Sequence, residues 1–380
     1  MPSLPPPLAR LLPLPRPARA ALVVLLIYIF LVGVSSLEGG IKVMGADTQA
    51  RLFDNVDHPL AGLFVGILGT VLVQSSSAST SVIVGLVASG ALGVEAAVPM
   101  IMGANIGTTV TNTLVSLGHV RQSNEFRRAF AAATVHDFFN VLAVMILLPL
   151  ELITGWLSSI AEWVSGKLVG SAGADWESPI KKWVKEPVGW VQDGLGALVD
   201  SNNVLGTMMV LAGLAIVLTS LVFITKNMKT LIAERVERSM NAILGRGGGA
   251  VAMVVGVLIT VAVQSSSITT SILIPMSAAG VIKLKNAYPV TLGANVGTTI
   301  TALLAALAAS RPEALTIALV HTTFNLAGIL VLYVIPILRP VPILAAERLA
   351  DIAVERRMIA VAYVVGSFIV LPLLGVAIFR

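Results

Sequence analysis

The chain has 380 residues, 12% of them Asp, Glu, Lys or Arg and 56% hydrophobic, with a mean hydropathy of +0.91. Soluble domains are roughly a quarter charged, so this composition excludes a soluble enzyme, a disordered chain and a nucleic-acid binder, and leaves a polytopic membrane protein. The net charge of +5 then belongs to loop topology, and the absence of cysteine excludes disulfides and thiolate metal sites.

Residues 1–20 are rich in Pro and carry Arg10, Arg16 and Arg19, and an apolar run follows over 21–37. The run is too long for a cleavable signal and lacks its small-residue exit, so a first transmembrane helix is predicted. Further apolar windows lie at 60–90, 94–118, 129–150, 204–225, 250–281, 287–308, 314–338 and 358–379. The windows 60–90 and 250–281 contain no charge, yet each has Gln-Ser-Ser-Ser near its middle. Neither half reaches a span of about 20 residues, so each is predicted to be a re-entrant helical hairpin. The alternative is a tilted, continuous helix pair with Ser facing a neighbour. The other windows are seven predicted spans. Trp156, Trp163, Trp176, Trp183 and Trp190 all fall in the loop between the halves; they are read as interfacial anchors of amphipathic helices, an aromatic ligand cage being the alternative. Segments 227–243 and 345–357 mix Arg and Glu with apolar residues and are predicted to be surface helices.

The two odd windows are copies. Placing Gln74 on Gln264 aligns 74–111 with 264–301 without a gap, and 17 of 38 positions are identical. The matches include Gln74-Ser75-Ser76-Ser77 with Gln264-Ser265-Ser266-Ser267, Gly103-Ala104-Asn105 with Gly293-Ala294-Asn295, Gly107-Thr108-Thr109 with Gly297-Thr298-Thr299, and Thr111 with Thr301. His136 and Asn140 likewise answer His321 and Asn325. Placing 1–20, 119–128, 226–249, 283–286 and 339–357 on one side gives that side 17 Lys and Arg against 6 acids, and the other side 8 against 13. The positive-inside rule makes the first side cytoplasmic. The hairpins then enter from opposite faces, so the fold class is an all-α polytopic membrane protein with inverted repeats, two re-entrant hairpins and broken helices. The chain divides into a cytoplasmic segment 1–20, a first repeat 21–150 with hairpin 60–90, an extracytoplasmic loop 151–203, and a second, inverted repeat 204–338 with hairpin 250–281. A cytoplasmic surface helix and a final span, ending outside, occupy 339–380.

A helix broken inside the bilayer exposes N–H groups on one half and C=O groups on the other, and both need partners. Half-helix N-termini with clustered hydroxyls suit an oxyanion. Carbonyls with the hydroxyls and carboxamides of Gln74, Gln264, Asn105, Asn295, Thr108, Thr109, Thr298 and Thr299 suit a hard cation such as Na⁺. The Gly-Ala-Asn-x-Gly-Thr-Thr segments are predicted to be second helix breaks, close helix packing through Gly-x-x-x-Gly being the alternative. Asp137 is the only carboxylate deep in a predicted span, which marks it as a functional residue. No Lys or Arg is predicted at that depth, so a bound anion is expected to rely on co-bound cations. Proton coupling through His136 or His321 is a weaker alternative. A serine hydrolase using Ser75–Ser77 with His136 and Asp137 needs one activated Ser, and duplicated motifs fit symmetric binding better. A channel needs a continuous polar path.

These motifs are familiar. Val73-Gln74-Ser75-Ser76-Ser77, Met102-Gly103-Ala104-Asn105-Ile106-Gly107-Thr108, Glu125-Phe126-Arg127-Arg128 and His136-Asp137-Phe138-Phe139-Asn140 resemble the type II sodium–phosphate cotransporters. Val263-Gln264-Ser265-Ser266-Ser267, Ala287-Tyr288-Pro289-Val290 and Phe324-Asn325-Leu326-Ala327-Gly328 do so too. The resemblance covers about 60–150 and 204–379. It implies Na⁺-coupled uptake of inorganic phosphate in a lipid bilayer, with no cofactor beyond the co-transported Na⁺ and with both Gln-Ser-Ser-Ser motifs at the phosphate. It also implies an electrogenic role for Asp137, Na⁺ binding at Asn140, and a homodimer. Another oxyanion or a small carboxylate is the alternative substrate. His119 and Gln122 stand where the family often has Gln and Asp, and Ala294 replaces a frequent Ser. The loop 150–203 has neither Cys nor a glycosylation sequon, which resembles a bacterial, inner-membrane form.

Overall fold

The computed structural model describes residues 15–45, 58–169, 179–246 and 248–379, and only the backbone of 179, 181 and 232–246. All regular structure among the described residues is helical, as an apolar solvent demands, because a helix satisfies its own backbone donors and acceptors within one segment. In chain order the helices are α1 (Arg16–Val43), α2 (Pro59–Val73), α3 (Ser76–Ser89), α4 (Val94–Gly107), α5 (Val110–Leu117), α6 (Ser123–Thr154), α7 (Trp156–Val169) and α8 (Pro179–Gly196). They continue with α9 (Asn202–Arg246), α10 (Gly249–Val263), α11 (Ser266–Ala278), α12 (Leu284–Leu307), α13 (Pro312–Ile329), α14 (Val341–Glu355), α15 (Met358–Val365) and α16 (Leu371–Phe379). π-Helical turns at Leu330–Val334 and Gly366–Val370 precede Pro336 and Pro372, residues that cannot donate to the helix ladder.

Among the described residues six helical stretches are long and apolar enough to cross a membrane: Arg16–Val43, Ser123–Thr154, Asn202–Leu231, Leu284–Leu307, Pro312–Val334 and Met358–Phe379. The remaining predicted span, 94–118, is divided between α4 and α5 at Thr108-Thr109, both of which keep right-handed helical dihedrals. Each predicted hairpin window is two short helices, α2–α3 and α10–α11, interrupted at Gln-Ser.

Small residues fix the close packing. A methyl group on Gly103 would collide with the Leu63 carbonyl of α2, and one on Gly293 with the Met253 carbonyl of α10. Gly107 and Gly297 lie in the same way on Thr70 and Thr260. These partner pairs are related by the sequence offset of the repeat, which carries the internal likeness upstream of Gln74 into α2 and α10. The second helix break expected at Gly293–Thr299 does not occur: α12 runs uninterrupted from Leu284 to Leu307. The glycines serve helix contact there, and without lipid between the helices dispersion and packing hold the pair.

Two other expectations change. The segment 227–243 is no separate surface helix but the continuation of the 45-residue α9, whose stretch after Gly213 has no Pro and no Gly before Gly245 to stop it. α1 extends past Leu37 to Val43, and Glu38 is buried, accepting from Lys42 Nζ at 2.6 Å and from the backbone and hydroxyl of Ser310. α14 lies on α6 with Ala346, Ala350 and Ala353 buried on one face. Arg127 pairs with Asp351 there and holds that carboxyl below the usual range. Of the five Trp, Trp176 lies outside the described residues, while Trp163, Trp183 and Trp190 are exposed on α7 and α8.

Candidate functional site

The two Gln-Ser-Ser-Ser motifs adopt one local structure. Gln74 and Gln264 cap α2 and α10 in the left-handed region, with φ of 56° and 57°, a conformation costing an L-residue about 1–2 kcal/mol. They are the only described non-glycine residues at positive φ, and such strain persists only where surroundings enforce it. Each carboxamide supplies the fastening. Gln74 Nε2 donates to the Val71 carbonyl at 2.7 Å, and its Oε1 accepts from Thr111 at 3.0 Å. Gln264 Nε2 donates to Val261 at 2.6 Å, and its Oε1 accepts from Thr301 at 2.8 Å. One N–H on each carboxamide remains.

The next residue in each motif caps the following helix. Ser75 Oγ accepts from the Ala78 N–H at 3.2 Å, and Ser265 Oγ from the Ile268 N–H at 3.4 Å. Ser76, Ser77 and Ser266 are buried and Ser267 is half-buried. The first-turn N–H groups of α3 and α11 have no partner inside their helices, so both motifs present donors beside hydroxyls. The tips meet where Ser77 Oγ donates to the Gln264 carbonyl at 3.5 Å. A cavity of about 400 Å³ is walled by Gln74 and Ser75 from one motif, Gln264 and Ser265 from the other, and Lys226 and Lys229 from α9. These two lysines were not singled out by the sequence, although their spacing at the end of an apolar stretch was visible there. α9 carries its helix straight past the predicted end of the span at 225 and brings Lys226 and Lys229 to the wall of this cavity.

The predicted cation residues form two buried groups. Asn105, Thr108, Thr109, Asp137, Asn140, Asn295, Thr298 and Thr299 are each at most 4% exposed. In the first group His136 Nε2 lies 2.6 Å from Asn295 Oδ1, Asn295 Nδ2 donates to Asn140 Oδ1 at 2.7 Å, and Asn140 Nδ2 donates to the Asn105 carbonyl at 2.7 Å. This chain joins α4 and α6 to α12. His136 and the corresponding His321 both keep an unpartnered Nδ1, but Asn325 Oδ1 has no partner where Asn140 Oδ1 accepts from Asn295, so the likeness between the halves stops at the carboxamides. Thr108, Thr109, Thr298 and Thr299 donate to carbonyls of their own helices, which leaves their oxygen lone pairs available to a cation.

In the second group Asp137 Oδ2 accepts from Thr113 at 3.2 Å and from Tyr363 at 3.0 Å, while Oδ1 has no partner. Tyr363 reaches in from α15, and Asn112 joins α5 to α11 by donating to Thr270 at 2.7 Å. Nothing in the local sequence around Tyr363 or Asn112 marks them. Glu38 and Glu151 are also buried, but both sit near helix ends and cap neighbouring groups, Glu151 accepting from the Leu157 and Ser158 N–H groups at 2.7 and 3.2 Å.

Apolar helices around a buried polar centre, with two broken helices meeting tip to tip, define an integral multi-pass membrane protein of the α-helical bundle type. The chain belongs to the Na⁺/Pi-cotransporter family, whose model matches residues 29–159 and 216–337. It is 35% identical to the sheep sodium-dependent phosphate transport protein 2A and 36% identical to the rat protein of that name, in each case over 91% of this chain and 65% of the relative. It is 33% identical to the human sodium-dependent phosphate transport protein 2B over 91% of this chain and 63% of that relative. The chain thus spans just under two thirds of the length of these curated relatives. No solved structure matches it.

Proposed function

We propose that this chain is a secondary transporter, not an enzyme, that takes up inorganic phosphate with Na⁺ by alternating access. The observation that carries the reading is the cavity walled by both Gln-Ser motifs. Two helix starts with N–H groups that lack intrahelical partners, the Ser75 and Ser265 hydroxyls and two carboxamide donors, beside Lys226 and Lys229, offer HPO₄²⁻ a donor-rich seat. The unpartnered oxygens of Asp137 and Asn325, with the threonine hydroxyls and the Asn105, Asn140 and Asn295 carboxamides, offer Na⁺ oxygen ligands. In this reading α2–α3 and α10–α11 are re-entrant hairpins of two inverted repeats, 21–150 and 204–338, and the Arg- and Lys-rich loops lie in the cytoplasm. The bacterial inner membrane and a homodimer complete the proposal. The names of the relatives support the solute, and the matching geometry of the motifs supports the repeats. Radiolabelled phosphate uptake into proteoliposomes tests it: uptake is expected to fall to background when choline replaces Na⁺, and uptake that survives the replacement overturns the coupling.

Lys226 and Lys229 enter this reading as an electrostatic wall that concentrates the anion at the tips. Exposed charges act over a Debye length of about 8–10 Å and are screened by salt. The double variant K226Q/K229Q is therefore expected to raise the phosphate concentration for half-maximal uptake or release by about three- to tenfold at low ionic strength, measured from the face on which the lysines lie. The difference should vanish at high salt, and K226R/K229R should restore the wild-type value. Equal affinities at low salt remove the lysines from the anion's path.

A further inference from the structure

One polar cluster of the second half has no counterpart in the first. Lys285, Asn286 and Tyr288 at the start of α12 occupy the positions that Glu95, Ala96 and Val98 hold in the first half. They line a pocket of about 570 Å³ together with Tyr333 and Arg339, and no Asp or Glu is among its lining residues. Arg339 lies over the Tyr333 ring, 4.1 Å from its centre, and the Tyr288 and Tyr333 rings pack edge to face at 5.7 Å. Lys285 has no ion-pair partner among the described residues. Tyr288 is fully buried and its hydroxyl has no hydrogen-bond partner there. Gly249 forms the floor: a methyl group would run into the Tyr333 hydroxyl and the Arg339 guanidinium. A buried phenol without an acceptor, a guanidinium held by an aromatic face and a free ammonium form a donor set that only an anion with several acceptor oxygens satisfies at once.

We infer that Lys285, Asn286, Tyr288, Tyr333 and Arg339 form a second phosphate-group site, apart from the Gln-Ser cavity, that takes the headgroup of an acidic phospholipid. The source is indicated by the surface beside it. Val334, Ile337 and Leu344, within five residues of Arg339 in the chain, are 59%, 83% and 58% exposed, apolar surface for acyl chains while the headgroup phosphate meets the cations. Basic pockets between helices on the Lys- and Arg-rich side of a membrane hold acidic headgroups in this way. Free inorganic phosphate offers the same oxygens without the chains. The site does not rest on the transport reading, since none of its residues belongs to the Gln-Ser cavity or the Asp137 group.

Native mass spectrometry of the full chain, delipidated in detergent and titrated with phosphatidylglycerol or phosphatidylcholine, tests the inference. Wild type is expected to retain phosphatidylglycerol in preference to phosphatidylcholine. K285Q/R339Q should weaken that retention by about thirtyfold, since each basic residue beside an acidic surface contributes about one fivefold factor. K285R/R339K, which keeps both charges, should restore it. A parallel measurement of radiolabelled phosphate binding in Na⁺-free choline buffer separates the sources: binding there that K285Q/R339Q abolishes, with no lipid selectivity, assigns the site to the free anion. Equal behaviour of wild type and K285Q/R339Q in both arms overturns it.

Discussion

Gln264→Glu is expected to lower Na⁺-driven phosphate uptake by on the order of a hundredfold or more, and Gln74→Glu to do the same. The variant keeps an acceptor for Thr301, so the tie between the tip and α12 survives, but it removes both N–H donors and adds a negative charge to the cavity wall. Two like unit charges about 4 Å apart at an effective dielectric of about 20 repel by about 4 kcal/mol, and the lost charge-assisted hydrogen bond adds about 1.5–3 kcal/mol. Gln264→Ala lacks the repulsion and is expected to cost about ten- to hundredfold in apparent phosphate affinity. The ordering of the two variants is the informative result. If the tips instead hold a cation, the glutamate variant binds Na⁺ more tightly and outperforms the alanine variant, which measurement of uptake against Na⁺ concentration detects directly.

That prediction draws on the part of the molecule most legible in the sequence. Short apolar halves around Gln74 and Gln264 are too short to span, and their duplication places Thr111 and Thr301 at equal distances from the two tips, where they accept the task of holding each carboxamide. What escaped was whatever depends on approach between distant segments. Tyr363 lies 226 residues from Asp137 and reaches it only because α15 packs beside α6. Lys226 and Lys229 look like ordinary loop anchors until the unbroken course of α9 carries them to the tips. Periodicity also cannot separate a helix break from helix contact when glycines serve both, and at Gly293 and Gly297 the collision a side chain would make with α10 shows that contact decides. The likeness of the two halves was readable to the residue, but the point where it fails was not: Asn140 Oδ1 accepts from Asn295 while Asn325 Oδ1 has no partner, a difference made by tertiary packing of identical residue types.

Asp137→Gly is expected to abolish the current evoked by phosphate in proteoliposomes while leaving Na⁺-dependent uptake measurable. A carboxylate this buried costs at least a few kcal/mol to keep in a membrane-embedded site, and Thr113 and Tyr363 compensate only one of its oxygens. The other oxygen is free to ligate a cation. With HPO₄²⁻ as substrate, three Na⁺ per cycle move one net positive charge and two move none; in the proposed reading Asp137 attracts one of three Na⁺, and losing it converts a charge-moving cycle into a silent one. Tyr363→Phe separates ligation from orientation. It keeps the carboxylate and removes one hydrogen bond to it, worth about 1.5–3 kcal/mol when the acceptor is charged. The current should persist, with half-activation shifted to about tenfold higher Na⁺. Equal currents in wild type and Asp137→Gly would take the carboxylate out of coupling, and an unshifted Na⁺ dependence in Tyr363→Phe would take the phenol out of its support. Oδ2 is held from α5 and α15 together, so in the proposed reading a motion that separates those helices frees the carboxylate and changes the affinity of the cation beside it.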